Sequence, residues 1–419
     1  MAQPIKQPSL LNGAMIIAGT VIGAGMLANP TSMSGVWFLG SIAILIYTWF
    51  CMTTSGLMIL EANLHYPTGA GFDTIVKDLL GQGWNAINGL SVAFVLYILT
   101  YAYITSGGGL TEGFINSLLS NEQSAVEIGR VSASLIFCLI IAAFVWFSTK
   151  MVGRLSVILI VGMIIAFLFS TTGLLGAIKI DVLLNTIAQG EQEYLRYALV
   201  AFPVCLVSFG FHGNVSGLVK YYHRNGKRVM QAIFIGSGLA LAIYILWQFA
   251  VQGNLPRSAF APVIAKDGDV ATLVQALGQY VQTDYIQVAL NFFTYFAIAS
   301  SFLGVTLGLA DYIADLFKFD DSALGRTKTV IVTFLPPLIL SLIFPYGFVS
   351  AIGYAGLAAT IWAAIVPALL VKASREKFAQ SQYQVYGGNF MIYFIILFGV
   401  INIAAQVGMK LGIVPVFTG

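Results

Sequence analysis

Only 9% of the 419 residues are charged and the mean hydropathy is +0.87, whereas soluble domains carry about 25% charged residues. An ordinary soluble protein is excluded, and repeated long apolar runs instead make the chain an all-α polytopic membrane protein. The net charge of +3 argues for no nucleic-acid partner until the basic residues are placed on the two sides of a bilayer.

The first apolar stretch, Asn12 to Met33, is long enough to cross a membrane, which takes about 20 residues. Gly19-Thr-Val-Ile-Gly-Ala-Gly-Met26 lies at its middle and Pro30 follows. Each glycine costs about 1 kcal/mol of helix propensity relative to Ala, so a segment that only had to span would gain little from them. A helix that opens here instead offers bare N–H groups and a half-helix N-terminus, which attract an anion such as a carboxylate. Thr20, Gly23, Ala24, Gly25 and Met26 are therefore candidate ligand contacts. The competing reading makes Gly19 and Gly23 a small-xxx-small packing face. The stretch is too long for a cleaved signal peptide and lacks a small-residue cleavage pattern, so it reads as an uncleaved first helix.

Spans are expected at roughly 11–33, 37–61, 88–109, 130–148, 153–178, 196–219, 230–252, 285–309, 328–345, 348–371 and 390–410. They form a single transmembrane domain over 1–419, with eleven crossings and termini on opposite sides. With the N-terminus inside, fourteen of the 20 Lys and Arg fall on inside segments and six outside, the asymmetry of the positive-inside rule. The basic run from Lys220 to Arg228 then reads as a topology anchor between two spans. The linker 67–85 is long enough to lie along the surface or re-enter. The linker 253–284 holds an amphipathic stretch at 270–281.

A second break is expected in span six, at Ser208-Phe-Gly-Phe-His-Gly-Asn214, where such residues are costly in lipid unless they line a cavity. Breaks five spans apart lie in helices that cross in opposite directions. That is the signature of a 5+5 inverted repeat, here about 11–178 and 196–371, with one extra helix at 390–410.

Nothing resembles an enzyme: there is no phosphate-binding glycine loop, no nucleophile elbow and no metal-ligand spacing. No cofactor is implied. Cys51, Cys138 and Cys205 sit in apolar spans as small core residues. His212 is the one histidine well within a span, either a proton acceptor or substrate contact, or a brace for the broken helix. Glu61 ends span two and Asp311 and Asp315 close span eight. They are either solvated boundary residues and partners of Lys150 and Arg154, or parts of a gate. Ser300, Ser301 and Thr306 either face the first break or bond back to their own helix. Phe94, Tyr97 and Tyr101 share a face of span three and, with Phe209 and Phe211, either wall a flat pocket or simply pack.

Taken together, the stretches at 19–26, 55–63, 94–103, 208–214, 299–308 and 353–362 resemble the bacterial hydroxy/aromatic amino acid permease family over essentially the whole chain. Within it, Phe72-Asp-Thr-Ile75, Lys77-Asp-Leu-Leu-Gly81 and Gly83-Trp-Asn85 are most like the tryptophan-specific branch. Leu27-Ala28-Asn29 looks more like the tyrosine branch, which keeps a tyrosine or broad aromatic substrate as the alternative. The resemblance implies a leucine-transporter-like fold in the bacterial inner membrane, with a cytoplasmic N-terminus and a periplasmic C-terminus. It implies proton-coupled import, with L-tryptophan, protons and membrane lipid as partners. Carried over by position, amides around Gly23, Ala24 and Gly25 take the substrate carboxylate. Ser208, Phe209, Gly210, Phe211 and His212 meet the amino group and side chain, and spans three and eight complete the pocket with Tyr97, Tyr101, Ser300 and Ser301. His212, Glu61 and Asp311 are the candidates for coupling or gating. An amino-acid-gated channel or a sensor is the reading from another class. Nothing in the sequence sets an oligomeric state, and a monomer suffices.

Overall fold

The computed structural model describes residues 8–119, 127–147, 149–186, 193–281, 283–378 and 382–419, with side chains for all of these except 149–153. Regular structure among the described residues is entirely helical. The elements are α1 (Leu10–Val21), α2 (Gly25–Ser32), α3 (Trp37–Asn63), α4 (Phe72–Leu119), α5 (Arg130–Phe147) and α6 (Thr149–Gly176). There follow α7 (Ile180–Leu183), α8 (Ala198–Ser208), α9 (Val215–Tyr221), α10 (Gly226–Gln252), α11 (Ala261–Ala265) and α12 (Val270–Tyr280). The chain ends with α13 (Asp284–Phe317), α14 (Ala323–Ile343), α15 (Phe348–Thr360), α16 (Val366–Lys377) and α17 (Gly388–Lys410). Taking α1 and α2 as one bent span, up to eleven crossings are long and apolar enough for a membrane. Alternating crossings put the start of α1 on one side, here the N-terminal face, and the end of α17 on the other.

Both linkers hold the helices for which they are long enough. The linker 67–85 is largely helix, because α4 begins at Phe72 and turns sharply at Gly81. There φ is +86°, a backbone region that costs glycine nothing. The short arm before Gly81 buries Ile75 and Val76 against Ala62, Val366 and Leu370. Beyond span seven, α11 and α12 lie across the far face, and α12 covers the expected amphipathic stretch with Val270, Leu273, Val274 and Leu277 buried.

Helices in lipid associate by close packing rather than by hydrophobic transfer, so small residues sit where backbones meet. A Cβ on Gly236 of α10 would lie 2.3 Å from the Ala14 carbonyl of α1, and one on Gly356 of α15 would lie 2.1 Å from the Pro203 carbonyl of α8. These two approaches press α10 and α15 against the broken spans. The three cysteines are buried and unpaired.

The far face is latched by two carboxylates in the turn before α12. Asp269 caps α12 by accepting from the Thr272 N–H at 3.0 Å and pairs with Arg130 at 2.6 Å. Asp267 accepts from the Ser350 N–H at 3.1 Å and its hydroxyl at 2.9 Å, capping the first turn of α15. Burial pushes the Asp267 carboxyl above its ordinary 3.8, against the opposing effect of the Ser350 bonds.

Candidate functional site

The first break falls where the glycines cluster. Helix α1 ends at Val21, Ile22 is extended, and α2 restarts at Gly25 with its axis turned by 53°. A Cβ on Gly23 would lie 2.7 Å from Ser301 Oγ, and one on Gly25 would lie 3.2 Å from the Ser208 Cα. At Gly25 the neighbour is backbone, so a side chain there would force the two breaks apart by a few tenths of an ångström, whereas at Gly23 it is a serine hydroxyl that would have to turn away. Gly19 has no neighbour within 4 Å and is exposed, so the packing-face reading fails for that residue. The Ala24 N–H donates to Ser301 Oγ at 2.9 Å, whereas the Gly23 and Gly25 N–H groups donate to nothing among the described residues. Ala24 is thus already satisfied by α13, and two amides remain of the three expected.

The second break follows α8 at Ser208. Phe209 to Phe211 leave the helix, a 3-10 turn runs over His212–Asn214, and α9 follows. The two broken spans run antiparallel with their breaks level. Ser208 Oγ lies 3.0 Å from the Gly25 carbonyl and 3.1 Å from Asn29 Oδ1. The Asn214 amide donates to Thr20 Oγ1 at 2.5 Å, and the Gly13 N–H donates to the Tyr222 hydroxyl at 3.1 Å. Tyr244 of α10 joins the breaks most directly. Its hydroxyl shares one proton between the Val21 and Ser208 carbonyls, each 2.6 Å away. These are the last residues of the two half-helices, where the dipoles present negative ends.

Beside this lies a buried aromatic cluster. The Phe211 ring packs onto Gly56 of α3, where a Cβ would lie 2.5 Å from it, and stacks on His212 at 4.8 Å. His212 is 2% exposed, meets Trp362 edge-on at 6.0 Å, and places Nε2 2.6 Å from Ser55 Oγ. Phe209 packs on Tyr244 with ring centroids 5.0 Å apart.

Other candidates sit elsewhere. The Tyr97 and Tyr101 hydroxyls donate to the carbonyls of Val332 and Phe344, so they fasten α4 to α14 and the turn that ends it. Phe94, at 45% exposure, is not buried with them. Ser300 and Thr306 bond back to their own helix. Met26 is buried beneath the first break. Glu61 is fully buried and paired with Arg375, at 2.6 Å to Nε and 2.9 Å to a terminal nitrogen, and it accepts from the Val385 N–H. Of the partners expected for these carboxylates, Arg154 is exposed and the Lys150 side chain lies outside the described ones. Asp311 is exposed and Asp315 pairs with Lys318 one turn away.

Ser55, Asn29, Tyr244 and Trp362 belong to the site although sequence reasoning passed over them. Tyr244 stands in an unbroken apolar run, and nothing local marks it as the bridge between residues 21 and 208.

On the N-terminal side of the breaks, Gly19, Thr20, Gly213 and Gly217 are exposed. Toward the far face, Asn29, Pro30 and Thr31 are buried. Exposure is thus unequal on the two sides of the breaks, greater on the N-terminal side.

A family model described as the tryptophan/tyrosine permease family matches residues 6–406. The chain belongs to the tryptophan/tyrosine permease family. This permease is 74% identical over 414 residues to the tryptophan-specific transport protein of Haemophilus influenzae, covering 99% of both chains. It is 50% identical to a tryptophan-specific transport protein of Pseudomonas aeruginosa, over 98% of this chain and 97% of that one. It is 42% identical to the tyrosine permease of Enterobacter agglomerans, over 94% of each. The permease is accordingly a multi-pass membrane transport protein for amino acids and not an enzyme.

Proposed function

We propose that this permease imports L-tryptophan together with protons across the bacterial inner membrane, by alternating access on a leucine-transporter-like 5+5 repeat. The observation that carries the reading is the pair of level, antiparallel breaks in spans one and six, with unpartnered amides at Gly23 and Gly25. An amino acid is a carboxylate and an ammonium on one carbon. The carboxylate meets these two amides and the positive end of α2. The ammonium meets the carbonyl-rich second break, and the apolar indole lies against the aromatic cluster. Tryptophan, rather than tyrosine, is favoured by the names of the two relatives at 74% and 50% identity.

Protons are the favoured coupling ion because the phenol of Tyr244 already satisfies the two half-helix carbonyls at which a bare cation would otherwise find oxygen ligands. His212 is the titratable side chain buried at the second break and is the candidate proton carrier. With the basic residues as counted above, the N-terminal face is cytoplasmic, so the more exposed side of the breaks faces inward.

Uptake of labelled tryptophan into proteoliposomes tests all of this. An imposed inward pH gradient should drive accumulation above equilibrium without sodium, and excess tyrosine or phenylalanine should compete weakly. Equilibration without accumulation would mark a channel, strong competition by tyrosine would mark a broad aromatic carrier, and a strict sodium requirement would overturn the proton reading. His212→Gln separates carrier from brace. An amide still donates and accepts but does not titrate near neutral pH, so retained exchange with lost accumulation identifies the carrier.

A further inference from the structure

The carbonyl of an α-helical residue normally accepts from the N–H four positions on. For Ala363 that position is Pro367, which has no N–H. The helix widens to a π turn over Ile361–Ile365, a local defect that recurs at functional sites. The released carbonyl is taken by Ser55 of α3, whose hydroxyl donates to it. A carbonyl oxygen can only accept, so the serine proton lies in this bond, and a serine has only one to give. Ser55 must then act as acceptor toward His212, 2.6 Å away, so that Nε2 carries the imidazole hydrogen. A neutral imidazole has a single N–H. His212 Nδ1 is therefore a bare lone pair, fully buried and with no hydrogen-bond partner among the described residues.

We propose that Ser55, backed by the Ala363 carbonyl that Pro367 releases, is a positioning residue that fixes His212 as the Nε2–H tautomer and holds Nδ1 ready as an acceptor. Phe211 on one face of the imidazole and Trp362 at its edge restrain the ring, and Gly56 admits Phe211. Spans two, six and ten are thereby joined at one side chain. The inference rests on the reading that His212 serves the transport site.

The test is solid-state nitrogen NMR of histidine-labelled protein in lipid vesicles. Three histidines are present, and His212→Gln assigns the signal. At neutral pH, Nε2 of His212 should be protonated and Nδ1 bare. Ser55→Ala should mix the tautomers and slow tryptophan uptake by at least about tenfold, the worth of roughly one hydrogen bond, while Ser55→Thr should keep the hydroxyl and both signals. An Nδ1–H tautomer in the unmodified protein, or an unchanged spectrum in Ser55→Ala, overturns the proposal. Mixed tautomers with normal uptake would uphold the positioning role and instead strike down the assignment of His212 to transport.

Discussion

At the scale of single residues, the site depends on what the two glycines of the first break leave out. A valine at Gly25 would press its Cβ to 3.2 Å from the Ser208 Cα, a neighbour that is backbone and cannot swing aside. Gly25→Val should therefore bind tryptophan at least about tenfold more weakly while still reaching the membrane, the loss of roughly one good hydrogen bond to a charged group. Normal binding by the purified variant would remove the carboxylate from this turn. Tyr244→Phe asks a different question. It strips the shared donor from the Val21 and Ser208 carbonyls, and a buried acceptor left unpaired costs about 1–3 kcal/mol. A lower melting temperature is expected, together with a smaller rise on adding tryptophan, because the two breaks are no longer tied. An unchanged ligand-induced rise would make Tyr244 a packing residue only. The glycine break was legible from residues 19–26 because propensity is local. Tyr244, Ser55 and Asn29 were not, since each matters through partners on other helices, from 36 to 308 positions away.

Among the helices, α12 shows which parts of an element can be read in advance. Its apolar face repeats at helical spacing, so the stretch was visible. Its anchoring was not, because Arg130 and Ser350 lie far from Asp269 and Asp267 in sequence. The same limit applies to the arm before Gly81, whose buried face meets Val366 and Leu370 of α16. The anchoring of α12 carries a pH prediction whose sign follows from burial. The Asp267 carboxyl stands above its ordinary 3.8, so the folded state holds this proton more tightly than the unfolded chain. Its contribution to stability is complete below 3.8 and declines as pH rises through the elevated value. Asp267→Asn keeps an acceptor for the Ser350 N–H without burying a charge. It should match or slightly exceed the unmodified protein in melting temperature at neutral pH and lose the pH dependence in this window. Asp267→Ala leaves the first turn of α15 uncapped and should lose about 0.5–2 kcal/mol. A marked destabilisation by the asparagine would mean that the charge itself holds the loop.

Across the whole molecule, the all-helical architecture of ten to eleven apolar crossings was readable from the apolar runs, because a bilayer imposes their length and composition on sequence directly. How the crossings close on each other was not. Glu61 has its carboxylate held by Arg375 of α16 and the Val385 N–H at the N-terminal face, a pairing that no spacing rule connects across 314 positions. The asymmetry of exposure yields a direct test of orientation and of alternation together. Gly19 is exposed on the N-terminal side of the breaks with no neighbour within 4 Å, whereas Thr31 is buried under the latched far face. The native cysteines are all buried, so background labelling is low. With a membrane-impermeant maleimide, Gly19→Cys should react in inside-out vesicles and not in right-side-out ones. Thr31→Cys should resist from both sides at rest. Under the proposed alternating access, the far face opens during tryptophan transport for the substrate to enter. Thr31→Cys should then become reactive from the periplasmic side while Gly19→Cys slows, since one site cannot face both ways. Reaction of Gly19→Cys from the periplasmic side would reverse the assigned orientation. Steady reactivity of both positions, each from its own side and indifferent to tryptophan, would mean a continuous path through the protein and would end the case for a carrier.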